Sequence, residues 1–276
     1  MLIIINKKLI MDNPILFVDM SYYIFYRYYA LINWYQKSQE IELDIDNILD
    51  DKIFIEKFHK LFLENIKKIK KKYKIQNALV IFAKDCRRYN IWRNEYYNEY
   101  KKNRDEKPLR FNSDIFIYTY EKIIPDLLDL DYKVLELDNA EADDIVGVLK
   151  NKIREKYDDR QIYIITNDHD YLQLLDDNTF IYNLRGLDLR TKSKGKDIDL
   201  ELKIITGDKS DNITSIFNTR KTIKSIMNLI NNKDMLQDLF NSNEEIHKLY
   251  NRNKLLIDFN MIPNEIKMNI CNLIDF

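Results

Sequence analysis

The sequence has 276 residues, 45% of them hydrophobic and 32% charged, which is enough to bury one large core or one core with a smaller partner region. Its formal net charge of -1 argues against a uniformly basic nucleic-acid-binding protein. Because no apolar run approaches the ~20 residues that span a bilayer, and the first lysines follow an apolar patch instead of preceding it, we expect an intracellular protein without membrane contact.

The first part of the chain predicts two buried strands, each followed by helical sequence. Residues 13–21, NPILFVDMS, form a short apolar run that contains Asp19, and an aromatic helix follows. An amphipathic helix over about residues 47–73 leads to a second apolar run, NALVIFAKD, which ends in Asp85. Short apolar runs bounded by acids are typical of strands covered on both faces of a parallel sheet.

A basic segment follows the second predicted strand. From Lys84 to Arg110 the sequence has nine Lys or Arg against five Asp or Glu, with tyrosines interspersed. Such a segment offers phosphate contacts and stacking surfaces for single-stranded nucleic acid. A solvated, charged connection between helices is the alternative interpretation.

The remaining elements continue the alternation of strands and helices. They are a helix at about 113–130, a strand at 132–138, a helix within AEADDIVGVLKNKI, a strand at 161–170 and a fifth strand at 179–184. This order predicts βαβ units and a mostly parallel sheet. From about residue 205 the pattern changes to helices and polar turns.

Acidic residues follow the predicted strands. The carboxyl ends of parallel strands meet at one edge of a sheet, where ligands bind. Asp168 and Asp170 would share a face if the chain there is extended, and Glu141 must precede the first full helical turn if it and Asp143 are to act together. Clustered carboxylates repel one another, so they need cations, and oxygen ligands suit Mg²⁺ or Mn²⁺. The pattern indicates a two-metal phosphodiester hydrolase.

Five motifs in this order resemble those of the 5′-3′ exonuclease and flap endonuclease family: VDMS, IFAKDC…WR…YKKNRDEK, EADDIVG, ITNDHDYLQL and TGDKSDNI. The resemblance implies a PIN-like, Rossmann-like α/β fold with a mostly parallel sheet, helices on both faces and a small C-terminal helical region. The catalytic domain would cover residues 1–204 and include a helical arch at about 86–112. Residues 205–276 would form a DNA-binding region with a degenerate helix-two-turn-helix element.

The resemblance also implies site residues. The first metal group would be Asp19, Asp85, Glu141 and Asp143, with Asp144 close by. The second would be Asp168, Asp170 and Asp208, with Asp211. The expected nucleic-acid contacts are Lys101 and Arg104 at the scissile phosphate, Arg93 at the arch base and Tyr100 near the active site. Ser21 is interpreted as a helix cap and His169 as structural.

The C-terminal hairpin departs from the family pattern. Asn218, Thr219 and Arg220 stand where the family has glycines, and Asn adopts left-handed backbone less readily than Gly. We therefore predict a degraded monovalent-cation site there. Lys221 and Lys224 are still expected to contact duplex phosphate as point charges.

We predict a metal-dependent 5′-3′ exonuclease or structure-specific 5′ flap endonuclease that hydrolyses DNA near 5′ ends, flaps or nicks in replication, repair or recombination. Two Mg²⁺ ions, for which Mn²⁺ can substitute, would be the cofactors, with no small-molecule cofactor. Two alternatives stay open: a PIN-type ribonuclease, and a catalytically weak accessory protein that holds branched DNA. Phosphatase chemistry would need an acid two residues after Asp19, where the chain has Ser21.

Overall fold

The computed structural model describes residues 13–39, 43–105, 111–219 and 221–276. Three sequence predictions reach outside these ranges. They concern residues 1–12 and 40–42 of the predicted catalytic domain, the part of the predicted arch at 106–110, and Arg220 of the hairpin.

Five parallel strands form a sheet in the order β3-β2-β1-β4-β5. The strands are β1 (Ile15–Asp19), β2 (Leu79–Ala83), β3 (Lys133–Leu135), β4 (Ile162–Ile165) and β5 (Thr179–Tyr182). All five predicted strands are present, and the parallel α/β architecture is confirmed.

Both faces of the sheet are covered, as the apolar runs predicted. In β1, Leu16 and Val18 belong to one hydrophobic core, while Ile15 and Phe17 belong to the core on the opposite face. All four side chains have no solvent exposure. Side chains alternate between faces along a strand, so a strand that is apolar at every position requires packing on both sides.

Helices cover the two faces of the sheet. In the described residues the helices are α1 (Met20–Gln39), α2 (Lys52–Lys72), α3 (Asp114–Tyr118), α4 (Ile124–Asp129), α5 (Ala142–Lys156), α6 (Lys196–Thr206), α7 (Ile223–Asn231), α8 (Lys233–Ser242), α9 (Glu244–Ile257) and α10 (Asn264–Cys271). Residues of α1 to α4 belong to the core on one face, and residues of α5 and α10 belong to the core on the other. A π-helical turn at Thr119–Ile123 joins α3 to α4. Within the described part of the chain, no helix has both the length and the apolar character needed to cross a bilayer.

The strand order places a crevice at the carboxyl ends of β1 and β4. The chain runs from β1 outward through β2 and β3, then returns across the sheet to β4 on the other side of β1. Loops therefore leave neighbouring strands in opposite directions at this point, which opens space for a ligand. Asp19 ends β1, and Asp168 lies three residues beyond β4.

The described part of the predicted arch lies against this edge. Residues 86–105 contain short 3-10 helices at Arg88–Asn90, Trp92–Glu95 and Lys102–Asp105. Trp92 is 2% exposed and joins the core beside α5. The beginning of the insertion is therefore fixed to the α/β core.

The predicted domain division at residue 204 does not coincide with a break in packing. Helix α6 extends across it, and Ile266 and Ile270 of α10 are buried in the same core as α5. A Cβ atom on Gly147 would lie 3.0 Å from the ring of Phe259, so the chain near α10 approaches α5 closely. The end of the chain thus completes one face of the sheet domain.

Candidate active site

An open cleft of ≈ 760 Å³ lies at the carboxyl edge of the sheet. Six predicted metal ligands line it: Asp19, Asp85, Glu141, Asp143, Asp168 and Asp208. The cations Arg88, Lys101, Arg104 and Lys203 line it as well. The fold therefore brings together acids from segments that are far apart in sequence.

Asp19 is fixed by the start of α1 and by the loop after β4. The Tyr22 amide donates to Asp19 Oδ1 at 3.0 Å, and the Thr166 hydroxyl donates to Oδ2 at 3.0 Å. Burial and the neighbouring Asp85 carboxylate raise the pKa of Asp19 to about 7. A cation beside this pair would therefore be strongly attracted.

Asp85 is held by Ser21, a residue to which the sequence assigned no role in the site. Ser21 donates from Oγ to Asp85 Oδ2 at 2.5 Å, and the Ala142 amide donates to Oδ1 at 2.8 Å. Ser21 was interpreted as a helix cap, whereas in the structure it links the first turn of α1 to the loop after β2. Its proximity to an acid 64 residues away has no signal in the local sequence.

Glu141 is the N-cap of α5, and its extended backbone places it before the first turn, as its partnership with Asp143 requires. Glu141 Oε2 accepts from Arg93 Nη1 at 3.0 Å and from Tyr100 OH at 2.8 Å, and Oε1 accepts from the Lys101 ammonium. Burial raises the pKa of Glu141, but Lys101 and Arg93 outweigh it and hold the pKa at about 2. Glu141 is thus an anion that local cations already balance.

Asp144 and Arg93 form a buried ion pair beneath the cleft. Arg93 donates from Nη2 to Asp144 Oδ1 at 2.8 Å and from Nη1 to Oδ2 at 2.9 Å, and Trp92 Nε1 also donates to Oδ2. Arg93 is 2% exposed and Asp144 is fully buried. Arg93 was expected to contact nucleic acid, but its burial against Asp144 excludes that contact, whereas the place of Asp144 in the first metal group stays a prediction.

Tyr100 is buried, contrary to the expectation from the sequence. It was expected as an aromatic nucleic-acid contact, but it is 4% exposed, so no base can stack on it. Its hydroxyl lies 2.8 Å from Glu141 Oε2 and 3.0 Å from Asp211 Oδ2. Tyr100 therefore joins the first predicted metal group to the second.

Replacing Tyr100 by Phe is expected to lower the free energy of unfolding by about 1.5–3 kcal/mol, because a hydrogen bond to buried carboxylates is lost. Denaturant unfolding measures this. Tyr97→Phe is the matched control, since the half-buried Tyr97 hydroxyl donates to the Asn212 carbonyl at 3.2 Å, and its loss should cost about 0.5–1.5 kcal/mol. An equal loss in the two variants would show that the Tyr100 hydroxyl does not couple the carboxylate groups.

In the second predicted metal group, the chain at Asp168 and Asp170 is not extended as the sequence suggested. Asp168 caps a 3-10 helix, His169–Leu174, and accepts from the Asp170 amide at 2.9 Å. The two acids therefore come together through a helical cap. His169 is exposed at the rim of the cleft.

Asp208 and Asp211 lie on a tight turn that closes with a bridge from Asp208 to Ile213. Gly207 has φ +72, and a Cβ there would lie 2.3 Å from the Ile213 carbonyl oxygen, so the turn requires glycine. Asp211 Oδ1 accepts from Arg104 Nη2 at 2.5 Å. The turn therefore carries both acids and anchors the basic segment.

Lys203 lies in the site, although the sequence did not predict it as a site residue. Its ammonium lies between Asp170 and Asp208, at 2.7 Å from Asp208 Oδ2. A lysine on an amphipathic helix usually faces solvent, so the local pattern gave no reason to select it.

The donor set fits hard divalent cations. Two groups of acids have carboxylate oxygens within 4.8 Å of one another: Glu141, Asp143 and Asp144, and separately Asp170, Asp208 and Asp211. Burial and neighbouring acids raise the pKa of Asp143 well above its usual range and that of Asp170 to about 7. Crowded oxygen ligands of this kind favour Mg²⁺ or Mn²⁺.

Lys221 and Lys224 do not line the cleft. Both are exposed, Lys221 two residues before α7 and Lys224 in its first turn, and the Lys221 ammonium lies 5.3 Å from the centre of the Phe217 ring. Their duplex contact stays a prediction, as does the loss of the monovalent-cation site.

Comparison with known proteins places these features in a family. The family model described as 5′-3′ exonuclease, N-terminal resolvase-like domain, matches residues 14–239. A 5′-3′ exonuclease of Buchnera aphidicola is 27% identical over 80% of this chain and 71% of its own, and ribonuclease H of phage T4 is 28% identical over 80% and 78%. The phage T5 flap endonuclease, solved with DNA and metal ions, aligns with a TM-score of 0.63 at 17% identity, over 94% of this chain and 96% of its own.

Proposed function

The chain belongs to the 5′-3′ exonuclease family and is a 5′ nuclease, and from this premise we propose that it hydrolyses DNA at 5′ ends, flaps or nicks with two Mg²⁺ ions. The observation that carries the proposal is the convergence of six carboxylates and four cations in one cleft at the switch point of the sheet. The DNA in the solved complex of the T5 flap endonuclease supports the choice of substrate.

The first ion would be held by Asp19, Asp85, Glu141 and Asp143, and the second by Asp168, Asp170, Asp208 and Asp211. Divalent ions at these positions would supply Lewis acidity for activating water and for neutralising charge on the scissile phosphate. Arg93 and Tyr100 would act beneath them as positioning residues, because they hold Glu141 through buried hydrogen bonds.

Lys101 and Arg104 would bind and orient the scissile phosphate. Both line the cleft, and the Lys101 amide donates to the Asp211 carbonyl at 3.0 Å. The backbone of Lys101 is left-handed, with φ 55, so its position is set by the surrounding contacts and not by local preference. Cations at the mouth offset the repulsion between an acidic cleft and a phosphate backbone.

An RNA substrate is the second candidate, and one observation favours it. The T4 relative is named ribonuclease H, and it matches over most of both chains. The carboxylate cleft would act on either phosphodiester, so the selection must come from contacts to the sugar.

Cleavage of matched 5′-labelled substrates tests the proposal: a DNA flap, a nicked DNA duplex and an RNA flap of the same sequence, each with Mg²⁺, Mn²⁺ or EDTA. We expect metal-dependent release of short products from the DNA flap and none in EDTA. Cleavage of the RNA flap alone would select the ribonuclease. Tight binding of branched DNA without any cleavage would contradict both and leave the accessory-protein interpretation.

A further inference from the structure

The ammonium of Lys203 is inserted between two predicted ligands of the second metal ion. It contacts Asp170 Oδ1 and lies 2.7 Å from Asp208 Oδ2. The side chain is 24% exposed, while the Asp170 and Asp208 side chains are 11% and 12% exposed. A cation and two poorly solvated carboxylates at such distances interact far more strongly than a surface pair.

Lys203 also borders a second cavity. This cavity has a volume of ≈ 320 Å³ and lies beside the catalytic cleft, and its lining includes His169, Asp170, Asp199, Lys203 and Thr206. Lys203 and His169 line both spaces, so they form part of the wall between them.

Asp199 offers a second anionic partner in that cavity. It precedes Lys203 by four residues on α6, the spacing at which an acid and a lysine meet on one helix face. Asp199 already accepts from Ser193 Oγ at 2.5 Å and from the Lys194 amide at 3.1 Å, which fixes its carboxylate. A carboxylate can accept further hydrogen bonds, so it can also receive an ammonium.

We propose that Lys203 is an exchangeable internal cation. Entry of a divalent ion at Asp170 and Asp208 displaces the ammonium, which then moves toward Asp199 in the neighbouring cavity. The inference rests on the proposed two-ion function. Two cations cannot share the same pair of carboxylates without strong repulsion, so the second ion binds only to the fraction of molecules in which Lys203 has moved.

This exchange has two measurable consequences. Removing the Lys203 ammonium should tighten binding of the second ion. The increase in affinity is about tenfold if the ammonium occupies the two carboxylates in nine molecules of ten. Removing the Asp199 carboxylate should weaken binding of the second ion, because the displaced ammonium then lacks an anionic partner. This effect should disappear when Lys203 is also replaced.

Mn²⁺ titration of the whole protein without nucleic acid, with free Mn²⁺ measured by electron paramagnetic resonance, tests both consequences. The variants are Lys203→Gln, Asp199→Asn and the double variant. Lys192→Gln is the matched control, because Lys192 lines the same neighbouring cavity and does not line the catalytic cleft. Thermal unfolding of each variant establishes that it is folded.

We expect Lys203→Gln to tighten the weaker Mn²⁺ site by about tenfold, with Lys192→Gln unchanged. Asp199→Asn should weaken that site in the wild-type background and leave it unaltered in Lys203→Gln. Equal weakening by Asp199→Asn in both backgrounds would mean that Asp199 acts only through its general negative charge, which would overturn the exchange. Unchanged Mn²⁺ affinity in Lys203→Gln would overturn it as well. Binding of a single ion by every variant would instead refute the two-ion proposal itself.

Discussion

Replacing Asp168 by Asn is expected to reduce cleavage of a DNA flap by at least about 10³-fold while leaving flap affinity within a few-fold of wild type. Asp168 is exposed in the cleft, and its Oδ1 accepts from the Asp170 amide. An amide keeps the shape and the cap but removes a negative ligand. Loss of several kcal/mol of metal-dependent stabilisation corresponds to a rate change of this size.

Single-turnover cleavage with saturating Mg²⁺, together with flap binding in Ca²⁺, separates the two effects. Asp177→Asn is the matched control, since Asp177 is an exposed acid nearby in sequence that does not line the cleft. Turnover near wild type for Asp168→Asn would refute the assignment of Asp168 to the second metal group. Equal losses of cleavage and affinity would show instead that Asp168 acts in substrate binding.

Replacing Arg93 by Met is expected to lower the free energy of unfolding by about 3–5 kcal/mol. The guanidinium pairs with Asp144 at 2.8 Å and Glu141 at 3.0 Å, and Nε donates to the Leu256 carbonyl at 2.7 Å. Removing one side of a buried ion pair leaves desolvated charge without compensation. Because Leu256 lies near the end of α9, the loss should also loosen the C-terminal helices from α5.

Equilibrium unfolding in urea measures the loss. Arg87→Met is the control, because Arg87 is exposed and donates to the Tyr89 hydroxyl, so its removal should change stability by no more than about 0.5 kcal/mol. An Arg93→Met variant within 1 kcal/mol of wild type would mean that the pair can be replaced by water or by repacking.

The sequence predicted where the strands lie along the chain, because a strand buried on both faces must be apolar at consecutive positions, and the helices between them predicted parallel pairing. The runs around Phe17, Ile81 and Ile164 carry that signal without reference to any distant residue. The acids that follow these runs predicted where the cleft lies, since parallel strands end at one edge. For the same reason, Asp19, Asp85 and Asp168 could be grouped from sequence and topology.

What the tertiary structure decided is which charged groups meet each other. Arg93 and Tyr100 were expected to face nucleic acid, yet they are buried against Glu141, because their orientation depends on α5 and α9 packing over the insertion. Lys203 was passed over because its two acidic partners lie on other segments, Asp170 far away in the chain. Local periodicity records burial along one element, whereas hydrogen bonds and ion pairs between elements depend on distances that only the folded chain determines.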